Sequence, residues 1–195
     1  MPVPTTTSYA LLGLLSLRPW TTYELAKQVQ RSLGWFWPRA ERKLYDEPKL
    51  LVVHGLAAAT EERTGRRPRT TYRITAKGRR ELRRWLGLPS RPPTLEFEGL
   101  VRVFFADAGT PEQLDATLAG IEATALERLA ALAGMAATGS QFPERVAVTG
   151  LAMRYWAEYE AGIVRWARWA RAQAVAGSPD PAEVVELART AGAAV

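Results

Sequence analysis

The chain has 195 residues, enough to bury a core without disulfides, and it has no cysteine, which excludes a disulfide framework, a thiolate metal site and a cysteine nucleophile. His54 is the only histidine, so a multi-histidine metal site is excluded as well. The net charge of +6 is unevenly spread: residues 1–86 hold 17 Lys and Arg against 7 Asp and Glu, a balance of +10, whereas residues 87–195 hold 9 against 13, a balance of −4. A basic half joined to a mildly acidic half suggests a polyanion-binding module fused to something else. No apolar run approaches the roughly 18–20 residues of a membrane span, and the N-terminus lacks the basic start and long apolar core of a signal peptide. A cytoplasmic protein with no membrane partner is the expectation.

The first half reads as three helices, a hairpin and a fourth helix. Leu11, Leu12, Leu14, Leu15 and Leu17 make the first helix, about Ser8–Leu17, apolar nearly all round, so it should be buried. Arg18-Pro19-Trp20 stops it. Thr21 and Glu24 form a Thr-x-x-Glu capping box that opens a second helix, with Leu25, Val29 and Leu33 on one face and Gly34 at its end. Trp35 and Trp37 should seat a third helix, which Pro38 opens at a position where a missing N–H costs nothing. Ala40, Leu44 and Leu51 lie on one side of that helix and Arg39, Arg42, Lys43, Asp46 and Lys49 on the other. Pro48 should kink it, at a cost of roughly 3 kcal/mol, with the helix resuming through Leu50–His54 and ending at Gly55. His54 would suit the helix dipole there. Leu56–Arg63 and Arg69–Ile74 read as two strands around the turn Thr64–Pro68, with Tyr72 and Ile74 on one face of the second. Thr75 caps a fourth helix to about Leu86, with Leu82, Trp85 and Leu86 inward. Three prolines and a glycine in residues 87–94 mark a linker.

The second half is helical throughout. Leu95–Ala106 brings Phe97, Leu100, Val101, Phe104 and Phe105 close together. Thr110 and Gln113 form another capping box, with Pro111 at the first helical position, and the helix they open carries a stripe from Leu114 to Leu132. A long helix runs from Pro143 to about Val175, and Asp180 opens a short last helix carrying Val184 and Leu187. The long helix has two apolar faces, one through Val146, Met153, Trp156, Ile163 and Val164, the other through Tyr155, Tyr159, Trp166 and Trp169. Two apolar faces need two surfaces to pack on: the protomer's own core and, most simply, a second copy of the chain. Met153, Ile163, Trp166 and Trp169 are the candidates for that homodimer interface. Phe97, Phe104, Tyr155, Trp156 and Tyr159 could line a slot for a small aromatic effector. Glu160, between the two faces, is expected to reach solvent rather than an arginine of a partner chain.

Three helices and a two-stranded wing make up a winged helix-turn-helix, whose recognition helix enters the major groove of double-stranded DNA. Arg39, Arg42 and Lys43 are the candidate base readers, and Arg66, Arg67 and Arg69 at the wing tip suit phosphates or a narrow minor groove. A solvated charged helix face is the competing reading of the first three, with Glu41, Asp46 and Glu47 in its favour. No Gly-rich phosphate loop, carboxylate pair or nucleophile–base arrangement stands out, so the chain does not read as an enzyme, and no metal or other cofactor is expected.

Residues 8–86 resemble the DNA-binding domain of the PadR family of transcriptional regulators. The matching text is Tyr9-Ala-Leu-Leu-Gly-Leu-Leu, Thr22-Tyr-Glu-Leu, Phe36-Trp-Pro, Leu44-Tyr45, His54-Gly-Leu56 and the wing from Gly65 to Gly78. The helical second half resembles, through weaker motifs, the longer PadR subgroup. The resemblance implies a dimeric repressor on a palindromic operator, often released by a small ligand. It places Tyr23 on the second helix near the DNA backbone, Arg39, Arg42, Lys43 and Tyr45 on the recognition helix, and Arg67, Arg69 and Thr70 in the wing. Pro48 departs from the family pattern and bears on any role for Lys49. The expected fold is mainly α with a small β-hairpin wing: a winged helix-turn-helix over 1–86, a linker over 87–94, and a C-terminal antiparallel helical dimerisation domain over 95–195. A multidrug-sensing or protein-interaction module without specific operator recognition is the alternative.

Overall fold

A computed structural model of the chain describes residues 4–37, 45–64, 67–176 and 180–193. The chain divides into two compact units, residues 1–92 and 93–195.

In the first unit, α1 spans Thr6–Leu17 and starts two residues earlier than its leucine pattern suggests. The reason is a capping box of serine type. Thr5 Oγ1 accepts from the Ser8 amide at 3.3 Å, and Ser8 Oγ accepts from the Thr5 amide at 2.8 Å. Leu11, Leu12, Leu14 and Leu15 are buried, as a helix apolar on all sides requires. A short strand that the sequence did not announce, β1 (Trp20–Thr21), follows. Its register is set from outside: the Trp20 indole donates to the Leu14 carbonyl at 2.8 Å, and Trp20 pairs with Tyr72. Thr21 and Glu24 then cap α2 (Thr22–Ser32), which buries Leu25 and Val29.

The next described helix, α3, is Glu47–Val53. Pro48 sits in its first turn, where no intrahelical N–H is needed, so it begins a helix there instead of kinking one. Residues 38–44 of the expected third helix lie outside the described residues. At the far end Gly55 adopts φ +69°, and the Gly55 and Leu56 amides reach back to the Val52 and Leu51 carbonyls at 2.9 and 2.8 Å. That closure needs a left-handed residue, which glycine supplies without strain. The Lys77 ammonium, rather than the His54 ring, meets the helix end, donating to the His54 carbonyl at 2.8 Å.

Strands β2 (Ala57–Thr64) and β3 (Arg67–Ile74) pair antiparallel from Ala57↔Ile74 to Thr64↔Arg67. The ladder therefore runs further into the expected turn Thr64–Pro68 than the sequence suggests, as far as the Thr64↔Arg67 pair. With β1 the sheet has the order β1-β3-β2. Tyr72 and Ile74 face the core and Arg73 faces out, as period-2 alternation requires. Thr75 caps α4 (Ala76–Leu86) through the Gly78 amide at 3.0 Å. Gly78 lies against the end of α3: a Cβ there would stand 2.1 Å from the Leu56 carbonyl oxygen, so no larger residue fits without moving backbone. Trp85 stacks on Tyr9 with ring centroids 4.7 Å apart. Leu86, expected to point inward, is exposed at the last residue of the helix.

In the second unit, α5 covers only Glu98–Phe104, followed by a 3-10 turn at Ala106–Ala108. The expected single helix Leu95–Ala106 is shorter at both ends, since Phe97 is extended and Phe105 leaves helical geometry. Gly99 lets α5 approach the next helix closely; a Cβ would stand 2.8 Å from Ile121 Cδ1. Thr110 and Gln113 cap α6 (Pro111–Thr138), which buries Leu118, Ile121, Ala125 and Leu132. A 3-10 turn, Pro143–Arg145, leads into α7 (Val146–Ala176), which buries Val164 and Ala167. The two long helices run antiparallel, because Asp115 meets Arg171, Glu122 meets Arg168 and Arg128 meets Glu160. Glu160 does not reach solvent: it is 1% exposed and accepts from Arg128 Nη1 of the same chain at 3.0 Å. The last helix, α8, is Pro181–Ala193, and Val184, Val185 and Leu187 on it are exposed. Among the described residues no helix is long and apolar enough to cross a membrane.

Candidate nucleic-acid interface

The first unit has the parts of a winged helix: α2, the chain leading to α3, and the β2–β3 hairpin. Tyr23 is 74% exposed on α2. Lys27, Gln30 and Arg31 are also exposed, at i+4, i+7 and i+8 from it, so one solvent face of α2 presents a tyrosine, an amide and two cations. The family resemblance points to Tyr23 alone on this helix. The signal for the others was present as the complement of the buried Leu25–Val29 stripe.

Arg39, Arg42 and Lys43 lie outside the described residues, as does Arg66. Tyr45 stands exposed in the turn before α3. Lys49 pairs with Asp46 at 3.4 Å on the helix surface. Arg67 opens β3 opposite Thr64. Arg69 is exposed, and its guanidinium lies 3.7 Å from the Glu24 carboxylate, which sets the wing strand beside α2. Thr70 is half-buried opposite Glu61. Glu24 also caps α2, and the Thr21 backbone N–H, followed by the Thr21 hydroxyl and Arg18, holds its carboxyl below the usual range. Arg69 thus stays beside a carboxylate yet keeps most of its surface in water, where such a pair is weak enough to exchange for a phosphate.

The expected effector slot is only partly assembled. An open groove of about 430 Å³ in the second unit is lined by Phe97 and Leu100 near α5 and by Tyr159, Ile163 and Trp166 on α7. Phe97 and Tyr159 were expected there; Ile163 and Trp166 were assigned to the dimer interface. Phe104 is 79% exposed and stacks edge-on against Phe105 instead. Tyr155 and Trp156 do not line the groove but cluster with Tyr159, the Trp156 and Tyr159 centroids being 5.1 Å apart. Burial first, and then the nearby Glu160 carboxylate, push the Tyr159 hydroxyl above its usual pKa, so it stays a neutral donor. Met153 is half-buried and Trp169 is partly exposed. No group of three or more potential metal ligands occurs among the described residues.

Comparison with known proteins places both units. Residues 11–84 match the Transcriptional regulator PadR-like family, and residues 98–174 match the family described as Virulence activator alpha C-term. A probable transcriptional regulator of Mycobacterium tuberculosis is 32% identical over 85 residues, 43% of this chain and 45% of that one. The negative transcriptional regulator PadR of Bacillus subtilis is 28% identical over 99 residues, 50% of this chain and 54% of that one. The matches span about half the length of these curated relatives. The structure of Bacillus subtilis PadR in complex with operator DNA is similar with a TM-score of 0.78 at 22% identity, covering 87% of this chain and 99% of that one. The same protein in complex with p-coumaric acid gives a TM-score of 0.71 at the same identity and coverage. The virulence activator AphA of Vibrio cholerae gives 0.66 at 21% identity, covering 88% of this chain and 99% of that one. At these identities the solved structures establish a common fold. A PadR-like transcriptional regulator domain matched over residues 11–84, followed by a Virulence activator alpha C-terminal domain matched over residues 98–174, is the domain order of the longer PadR-like subgroup.

Proposed function

We propose that this chain is a sequence-specific double-stranded DNA-binding regulator, a repressor that acts as a homodimer on a palindromic operator and is released by a small aromatic ligand. Residues 1–86 are the DNA-reading domain and residues 95–195 the dimerisation and effector domain. The observation that carries the reading is the surface shared by α2 and the wing. Tyr23, Lys27 and Arg31 stand exposed on one, Arg69 on the other, and the Arg69–Glu24 contact sets the two side by side. Cations and hydroxyls on the first helix of the motif and on its wing suit phosphate oxygens, leaving base edges to Arg39, Arg42 and Lys43. Bacillus subtilis PadR, with the same fold, has been crystallised with operator DNA and with p-coumaric acid, which supports both the duplex and the aromatic ligand as partners. Phe97, Tyr159 and Trp166 around the groove supply flat apolar walls for such a ligand.

The test uses a duplex selected by the wild-type protein from a randomised pool and, beside it, a random duplex. Arg39→Ala and Arg42→Ala should each reduce preference for the selected duplex by about five- to 150-fold, corresponding to roughly 1–3 kcal/mol. Arg67→Ala should weaken both duplexes alike. Identical effects from all three on both duplexes would show that the base-reading segment is misassigned.

A further inference from the structure

The first turn of α1 touches the chain on both sides of the basic segment assigned to base reading. On one side the Trp37 indole Nε1 donates to Thr7 Oγ1 at 3.0 Å. On the other the Glu47 carboxylate accepts from Thr5 Oγ1 at 3.0 Å and from Ser8 Oγ. Thr7, Ser8 and Glu47 are all buried. Burying a carboxylate is costly unless it finds donors, and here two hydroxyls of one helical turn both donate to Glu47 Oε1. An apolar residue at position 47 would hold α3 against α1 without that cost, but apolar contacts tolerate sliding, whereas a hydrogen bond fixes distance and direction. Pro48 follows at once, and its locked φ stiffens the entry to α3. The turn that makes these bonds is itself immobilised, by the Thr5–Ser8 capping box behind it and by Leu11, Leu12 and Leu15 in the core.

We propose that Thr5, Thr7 and Ser8, acting through Trp37 and Glu47, are positioning residues that set the aim of the base-reading segment without touching DNA. The inference rests on the DNA-reading function proposed above. Base readout needs side chains held within about 0.5 Å of their productive geometry, while phosphate contacts from the wing and α2 tolerate more play. Loosening either anchor should therefore cost discrimination more than it costs general affinity.

The experiment uses the full chain and three variants. Thr7→Val deletes the acceptor and keeps the shape; Trp37→Phe deletes the donor and keeps an aromatic ring, though a smaller one; Thr7→Ser keeps the hydroxyl. The first readout is the affinity ratio between a duplex selected by the wild-type protein and a random duplex. Thr7→Val and Trp37→Phe should each lower that ratio about three- to tenfold, the range one hydrogen bond carries. The double variant should lose no more than either single one, because both remove the same contact. Thr7→Ser should retain the wild-type ratio, and binding to random duplex should change by less than about twofold, since the phosphate contacts are untouched. The second readout is amide hydrogen exchange, which needs no DNA: exchange between Trp37 and Glu47 should quicken while β2 and β3 stay protected. Unchanged exchange there, or additive losses in the double variant, would overturn the positioning role. Parallel losses on both duplexes would assign the contact to general stability and overturn it too. If the wild-type protein selects no duplex while exchange still responds, DNA reading fails first, and the role in aiming it fails with it.

Discussion

Single residues show where pattern reading stops. Glu81 lies among the exposed arginines of α4, and nothing in the sequence sets it apart, yet it accepts from the Tyr9 hydroxyl at 2.7 Å and from Arg84 at 2.6 Å. The Arg84 contact, then the Tyr9 hydroxyl, hold its carboxyl at about 2. The tie joins α4 to α1 across the Tyr9–Trp85 stack, a contact between residues far apart in the chain and so invisible to local periodicity. Because the folded pKa lies below the ordinary value of 4.5, the stabilisation is complete above that value and drains away as pH falls toward 2, where the folded state also takes up the proton. Glu81→Gln should therefore reduce stability by about 1 kcal/mol at pH 7, the modest figure suited to a partly exposed group. The difference from wild type should shrink between pH 4.5 and 2. Urea denaturation at a series of pH values checks this, and a constant difference across that range would assign the effect to packing. Gly78 belongs to the same class: its spelling in the wing motif was legible, but its reason, the Leu56 carbonyl beneath it, is a tertiary fact.

At the scale of elements the sequence was legible wherever a cap or a period carried the information. The Thr21–Glu24 and Thr110–Gln113 boxes mark helix starts that the structure reproduces to the residue, because a cap is a local interaction among four adjacent residues. The two-residue strand β1 has no period to detect and exists only because β3 offers a free edge. Pro48 was misplaced for a related reason: proline ends one helix or begins another, and its own identity does not say which. On the face proposed for DNA, Tyr23 and Arg69 are exposed as the sequence suggests, and Lys27 and Arg31 join them as the complement of the buried Leu25–Val29 stripe, a signal that does not by itself say what the face meets. Glu160 is the clearest miss. Its setting between two apolar faces pointed outward, but in an antiparallel pair of long helices each has a side turned toward the other, and Arg128 supplies the counterion from α6. Arg128 is half-exposed while Glu160 is buried, so removing the arginine strands a charge that cannot easily rehydrate. Arg128→Ala should cost about 2 kcal/mol, below the range for a fully buried pair because of that exposure. Arg128→Met combined with Glu160→Leu should recover most of the loss, since neither charge then remains. Chemical denaturation of the single and double variants measures both, and a double variant no better than the single would mean that the pair, rather than the stranded charge, carries the stability.

For the whole molecule the relevant quantities are charge and apolar surface, and they are divided between the two units. The balance of +10 belongs to residues 1–86, whereas exposed apolar side chains gather in the second unit, with Val148, Leu151 and Tyr155 along the first half of α7 and Val101, Phe104 and Phe105 near α5. Val148, Leu151 and Tyr155 recur at i, i+3 and i+7 on one side of α7, which suits the dimer proposed above, since closed two-fold pairing is the commonest way for a single chain to cover such a face. Dimerisation would then multiply the electrostatics, because two basic heads release twice the counterions of one. Each phosphate neutralised contributes a slope of about −0.9 to the dependence of log affinity on log salt. A dimer with four to five phosphate contacts per head should lose roughly 10⁴–10⁵ in affinity between 50 and 200 mM salt. Val148→Glu with Leu151→Glu places like charges on the apolar face of both copies and should leave a monomer by sedimentation at micromolar concentration. That monomer should keep its folded winged helix but bind DNA with about half the wild-type salt slope, reading one half-site instead of two. A variant that is monomeric with an unchanged slope would mean that a single head makes all the phosphate contacts and that pairing serves something other than the duplex. A variant that remains dimeric would move the interface off the first half of α7, with the exposed aromatics near α5 as the next surface to charge.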